Sequence, residues 1–264
     1  MDINRKIAFD ILIDIEKNQA YSNIALNKNL AKNKDLKPNQ GFIRELVYGV
    51  LENKMYLDYI LSQLITRPMV KNKTELGTIL RMGIYQIDYM NSVPDYAAVG
   101  ESVDLVNKLY KAQGSFINGV LRNYLRKKDE ILLSQEGRST AEYLAIKYSH
   151  AKWIVEYWLD LYDDKFVEEL LIENNKSPLI CIRANTIKIK KDDLKNILIE
   201  KGYEIIEGKL TSDAIYVKGN SLLDESLFKE GAFSVQDESS MLAVKSLAPS
   251  PGETIIDTCA APGG

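Results

Sequence analysis

At 264 residues, with 45% hydrophobic and 27% charged side chains, 7 Pro and 15 Gly, the sequence excludes a disordered or fibrous chain and has room for two folded units, since domains commonly run to roughly 100–200 residues. No apolar run approaches the roughly 20 residues that cross a bilayer, Met1 to Asp10 lacks the layout of a signal peptide, and two cysteines with one histidine exclude a disulfide framework and a structural metal centre; a cytoplasmic chain without membrane or metal is expected. The net charge of −3 hides a split: residues 1–128 hold 19 Lys/Arg against 13 Asp/Glu, and residues 129–264 hold 15 against 24, which suggests an N-terminal half that meets a polyanion, although charge alone favours lysines that merely solvate helix faces.

From Arg5 to Lys17 the apolar residues Ile7, Ala8, Ile11, Leu12 and Ile15 fall at helical spacing, one buried stripe of an amphipathic helix. Ser22 is placed to cap a second, short helix. After Pro38 a long pattern runs through Phe42, Leu46, Val50 and Leu51 toward Leu64, with an interruption expected near Asn53. Thr74 to Tyr89 follows, turning Leu76, Ile79, Leu80, Ile84 and Ile87 inward, and Pro94 is read as its stop. Ala97 to Leu109 and Ser115 to Lys128 complete the set. No strand alternation occurs before residue 130, so the first domain reads as all-α.

Ser139 to Glu142 forms a capping box, and Trp153, Ile154, Tyr157, Trp158 and Leu161 pattern a further helix, together a helical connector. The texture changes after Pro178. Leu179 to Asn185 reads as a strand, Asp192 to Lys201 as a helix ended by Gly202, and Tyr203 to Ile206 and Ala214 to Val217 as strands, a small α+β unit near residues 176–220. Phe228 to Val235 gives a turn and short strand, Asp237 to Leu247 a helix, and Glu253 to Thr258 a strand.

That last strand runs into Cys259-Ala260-Ala261-Pro262-Gly263-Gly264. A buried strand opening into small residues is how a doubly wound sheet begins a nucleotide-type site, because the backbone there can approach a ligand closely. A helix starting at this point would aim amide groups at a carboxylate or phosphate. By spacing alone a plain strand and turn is the better reading, since the G-x-G-x-x-G and G-x-x-x-x-G-K-[ST] fingerprints are absent.

The string Asp257-Thr258-Cys259-Ala260-Ala261-Pro262-Gly263-Gly264 closely resembles the first cofactor motif of the bacterial small-subunit (16S) rRNA cytosine-5 methyltransferase B family, also called RsmB, Sun or Fmu. Gly231 to Ser240 is similar to the segment just ahead of that family's catalytic core, and Ile182-Arg183-Ala184-Asn185-Thr186 to its Arg-x-Asn stretch. Leu80 to Gln86 and Phe116 to Arg122 resemble the NusB-like helical domain that opens these enzymes, a domain type that binds RNA in the antitermination factor it is named for.

The resemblance implies a multi-domain chain: an all-α NusB-like RNA-binding domain over 1–130, a helical connector plus small α+β module over 131–222, and the start of a Rossmann-like α/β methyltransferase domain over 223–264. It implies S-adenosyl-L-methionine as cofactor, held by Cys259, Ala260, Ala261, Pro262, Gly263 and Gly264, and 16S rRNA as partner of a monomeric enzyme making 5-methylcytosine. Arg122, Arg126, Lys127 and Arg183 are the candidate RNA contacts, with Lys128 beside them. The covalent chemistry of the family uses a cysteine thiolate on carbon-6 of the base, and that cysteine is expected beyond Gly264. Cys181 reads as core, Cys259 as part of the cofactor loop, His150 as a helix-junction residue, and Gly83 and Gly119 as sites of close helix packing. A non-enzymatic NusB-like RNA-binding adaptor is the competing expectation.

Overall fold

Several helix starts are fixed by side chains that satisfy the first free amides. Asp2 accepts from the Arg5 N–H at 2.9 Å, Asn39 from Phe42 at 3.0 Å, Ser139 from Glu142 at 3.2 Å and Asp163 from Phe166 at 2.9 Å, each such cap contributing about 1 kcal/mol. The computed structural model describes residues 2–65, 73–110, 112–176, 178–219 and 222–258. These fall into one unit up to Lys176 and a second after it.

In the first unit, α1 (Ile3–Asn18), α2 (Ser22–Lys32), α3 (Gln40–Glu52), α4 (Lys54–Leu64), α5 (Lys73–Tyr89), α6 (Asp95–Leu109) and α7 (Gly114–Lys127) surround one core. Ile7 and Ile11, Ile43 and Leu46, Ile79 and Leu80, Val106, and Ile117 and Leu121 meet in it, each buried side chain worth roughly 1.5–3 kcal/mol. Asn53 does break the long pattern, its side-chain amide donating to the Gly49 carbonyl at 2.9 Å. Ser22 lies inside α2, not at its cap, which is Tyr21 without a side-chain bond. Pro94 does not end α5, which stops at Tyr89; it introduces α6, where its fixed φ suits the entry and its missing N–H costs nothing.

The connector is α8 (Thr140–Tyr148), α9 (Lys152–Leu161) and α10 (Asp164–Asn174). Sequence patterning missed α10, whose buried stripe is only Val167 and Leu171. These helices group with the first unit, not with the α+β module: Met55 of α4 packs on Ala141, Leu144 and Ala145, and the Tyr56 N–H donates to Ser149 Oγ at 3.1 Å.

The second unit holds β1 (Ile180–Ala184), α11 (Lys191–Glu200), β2 (Glu204–Glu207), β3 (Ala214–Lys218), α12 (Ser226–Lys229), β4 (Phe233–Val235) and α13 (Glu238–Leu247). The sheet order is β2-β3-β1-β4, antiparallel throughout, with Ile182 opposite Ile215 and Val235. Alternation assigns the faces: Ile182, Ala184, Ile215, Val217 and Phe233 cluster with Leu194 and Leu198 of α11, while Cys181 and Ala214 meet Met241 of α13. Gly202, at φ +90°, closes α11 as expected.

Two expectations for residues 223–264 change. Phe233–Val235 pairs with β1 and completes the small sheet rather than opening a new domain. Glu253 to Thr258 forms no strand, and Ile255 and Ile256 are 52% and 82% exposed, because no neighbouring strand among the described residues takes up its backbone groups or covers its faces. A Rossmann-like start is therefore not seen in the described residues. No described helix is long and apolar enough to cross a membrane.

Candidate nucleic-acid interface

Three of the four candidate RNA-binding residues come together on α7. Arg122, Arg126 and Lys127 are exposed, and none forms an ion pair among the described residues. The inner face of α7, Ile117, Val120, Leu121 and Tyr124, is buried, which turns the cations outward. Asn118 Oδ1 accepts from Arg122 Nε at 2.9 Å, fixing the guanidinium while leaving its Nη donors for a ligand.

Beside these residues α6 and α7 enclose a groove of about 480 Å³, walled by Val99, Val103 and Leu125 with Tyr96, Asp95, Asp104, Asn118 and Arg122 at its edges. A smaller depression involving Gly119, Arg122 and Arg126 adjoins it. Gly100 lines the groove and Gly119 the depression, and a Cβ at either would meet nothing within 4 Å. This corrects the expectation of close packing at Gly119. Gly83 does pack closely, its added Cβ lying 2.8 Å from a Leu121 methyl. Sequence reasoning missed Tyr96, Gly100 and Asn118; the available signal was the outward stripe Tyr96, Gly100, Val103 at helical spacing.

The similar string on α5 is spent on structure. Arg81 is bidentate to Asp58 at 2.6 and 3.2 Å and lies 3.9 Å from Glu16, and Gln86, fully buried, accepts from Arg5 Nε at 2.7 Å while donating to the Met82 carbonyl. Tyr124 donates to Asp88; burial first, then this bond, raise the tyrosine's pKa, and burial raises that of Asp88.

Arg183 belongs to the second unit, on β1. Its Nε donates to Gln236 Oε1 at 2.6 Å, and it borders two small clefts with Asp213, one shared with Lys191 and the other with Lys245. Lys191 and Lys245 are themselves paired, with Glu207 and Asp213. The stretch Gln236 to Ser239 is mainly architectural. Asp237 caps α13 through the Ser239 N–H at 2.8 Å. Glu238, 4% exposed, accepts from the N–H groups of Leu210 and Thr211 at 2.6 and 2.8 Å and from the Tyr216 hydroxyl at 2.8 Å. Burial opposes the charge on Glu238, yet those donors hold its pKa below the usual value, while Tyr216 is pushed up to about 12, first by this bond.

Cys181 is buried and its thiol is pushed up by desolvation, the opposite of a poised nucleophile. His150 Nδ1 contacts the Tyr148 carbonyl at 2.7 Å between α8 and α9, a junction position. The expected cofactor residues Cys259, Ala260, Ala261, Pro262, Gly263 and Gly264 lie outside the described residues.

Comparisons with known proteins meet this picture from two sides. The NusB family matches residues 2–126, and the Methyltr_RsmF/B-like, ferredoxin-like domain matches residues 150–222. The chain is 36% identical over 261 residues to the probable ribosomal RNA small subunit methyltransferase B of Bacillus subtilis (strain 168), covering 98% of the chain and 58% of that protein. It is 34% identical over 266 residues to the protein of the same description from Synechocystis sp. (strain ATCC 27184 / PCC 6803 / Kazusa), with the same coverage. The crystal structure of PH0851 covers the whole chain, which spans 60% of it, with a TM-score of 0.67 at 21% identity, a likeness of fold. The chain thus spans 58% of the length of these two curated relatives.

Proposed function

We propose that the chain, similar over 98% of its length to two ribosomal RNA small subunit methyltransferase B proteins, is the RNA-recognising part of an enzyme that methylates carbon-5 of a cytosine in 16S rRNA. The observation that carries this reading is the pairing, in one chain, of a NusB domain with an RsmF/B-type ferredoxin-like domain. Arg122, Arg126 and Lys127 supply phosphate contacts in the first unit and Arg183 in the second. Residues 1–130 act as the RNA-binding domain, 131–222 as connector and module, and 223–264 lead into the catalytic domain.

S-adenosyl-L-methionine supplies an electrophilic methyl group when bound. Cys259 to Gly264 are its proposed seat on the strength of their resemblance, small side chains leaving backbone amides open to its carboxylate. Carbon-5 of cytosine is a weak nucleophile until a thiolate adds to carbon-6. Cys181 does not suit that task, being buried with a raised thiol pKa, and Cys259 is assigned to the cofactor loop, so the nucleophile is a cysteine outside these 264 residues. The protein works in the cytoplasm on free or partly assembled rRNA.

The test is transfer of labelled methyl from S-adenosyl-L-methionine to an unmodified 16S rRNA transcript by the full-length protein, followed by digestion to nucleosides. Label in 5-methylcytidine is expected; no transfer, or label in another nucleoside, overturns the reading.

A further inference from the structure

We infer that the groove between α6 and α7 is a pocket for one unstacked nucleobase of single-stranded RNA, selective for a base that carries an exocyclic amine. The ligand class rests on the RNA-methyltransferase reading; the pocket rests on its own geometry. Its volume of about 480 Å³ lies in the range of pockets that hold small molecules. Val99, Val103 and Leu125 give it apolar walls, and Gly100, where a Cβ would meet nothing within 4 Å, keeps its lining at backbone level there. A packing defect between helices is ordinarily closed by side chains. Here Gly100 leaves it open, and Gly119 on α7 leaves open the depression that adjoins it.

The rim has the chemistry of a nucleotide. Tyr96, at the groove edge, is 79% exposed, an aromatic ring positioned for base stacking and of little use to the core. Arg122 and Arg126, one helical turn apart, lie where flanking phosphates would pass, and Lys127 adds to the same field. Asp95 sits on the same rim. A carboxylate repels phosphate but accepts well from an amino group such as those of cytosine, adenine or guanine, whereas the O4 of uracil would oppose it with lone pairs. The combination of stacking ring, carboxylate acceptor and adjacent unpaired arginines fits a base with its backbone outside. A base held in a duplex would keep that edge occupied, so the ligand is single-stranded.

The experiment measures binding of short oligoadenylate and oligouridylate to the full-length protein by fluorescence anisotropy over a range of salt. Adenine carries the amine without being the base that is methylated, so the active site does not set the preference. The parent should prefer oligoadenylate by about fivefold or more. Gly100→Leu, which fills the groove from a position where Cβ meets nothing, and Tyr96→Ala should each weaken oligoadenylate binding by about tenfold with the salt slope unchanged, since neither removes a charge. Asp95→Asn should erase the base preference. Parent-like oligoadenylate affinity in Tyr96→Ala and Gly100→Leu proteins that melt like the parent would overturn the inference and leave the groove to a protein side chain; so would equal parental affinity for the two oligonucleotides. Methyl transfer to 16S rRNA, measured alongside, separates the failures: its absence in the parent strikes the proposed activity, while oligonucleotide selectivity still decides the pocket.

Discussion

Helices α5 and α7 carry similar inventories, a basic residue and a glycine inside a short string of apolar residues, and put them to opposite use. On α5 the arginine is consumed: Arg81, with a side chain 14% exposed, is held by Asp58 and Glu16, and Gly83 admits Leu121. On α7 only the inner half is consumed, and Asn118, Gly119 and Arg122 face open space. Charge counted along a sequence is thus not charge available to a ligand. The cationic excess of residues 1–128 mixes structural cations, such as Arg5, Lys17, Lys54 and Arg81, each paired with a carboxylate, with unpaired ones on α7.

The strongest way to break this comparison is to damage each helix in turn. Leu80→Ala removes a fully buried side chain of α5 and should cost about 2–5 kcal/mol in denaturant unfolding, with the RNA affinity of the folded protein unchanged. Reversal of Arg122, Arg126 and Lys127 to glutamate should do the converse. Affinity for rRNA should fall by about a hundredfold and the log–log salt slope by about 2 to 3, while stability stays within about 0.5 kcal/mol. A triple variant that binds normally would place the RNA face elsewhere. Arg81→Met, the matched change on α5, should cost about 1–2 kcal/mol of stability through loss of charge-assisted bonds, without altering the salt slope.

Much of the helical unit was legible because its stripes are long and regular: Ile79, Leu80 and Ile84 announce their face. Asn53 was readable as a break for the same reason. The errors have local causes. Pro94 ends or begins a helix with equal ease on paper, and α10 buries too few residues to show a period. Gly119 could not be told from Gly83, since helical spacing gives no information about what lies across the interface. The resemblance located Gln236 to Ser240, but only long-range pairing of Glu238 with Leu210, Thr211 and Tyr216 explains that glutamate.

Glu238 extends the comparison to pH. Its pKa is lowered in the folded protein, so its contribution to the second unit is present above the unfolded carboxylate value of 4.5 and is lost as pH falls through the lower folded value. The melting temperature of the parent should therefore drop on acidification below about pH 4.5 more steeply than that of Glu238→Gln, which has no carboxylate to protonate. Parallel acid profiles would mean that the carboxylate's charge is not what holds the 210–211 loop.

The smallest effects give the sharpest contrast, because they can differ in sign. Both Gly83 and Gly119 lie inside helices, where replacing glycine by alanine favours the helix by roughly 0.5–1 kcal/mol. At Gly119 the new methyl enters open space, so Gly119→Ala should be stabilising by about that amount. At Gly83 it would stand 2.8 and 2.9 Å from the two methyls of Leu121 and 3.2 Å from Ser102 Oγ. Leu121 is fully buried and Ser102 is bound to the Ala98 carbonyl at 2.7 Å, so neither can retreat freely. Overpacking of this kind costs about 1–3 kcal/mol, which exceeds the helix gain, and Gly83→Ala should be net destabilising by about 1 kcal/mol. Denaturation midpoints of the two variants should move to opposite sides of the parent. If both rise, the α5–α7 contact yields more easily than its distances imply, and if both fall, the depression at Gly119 is closed in solution.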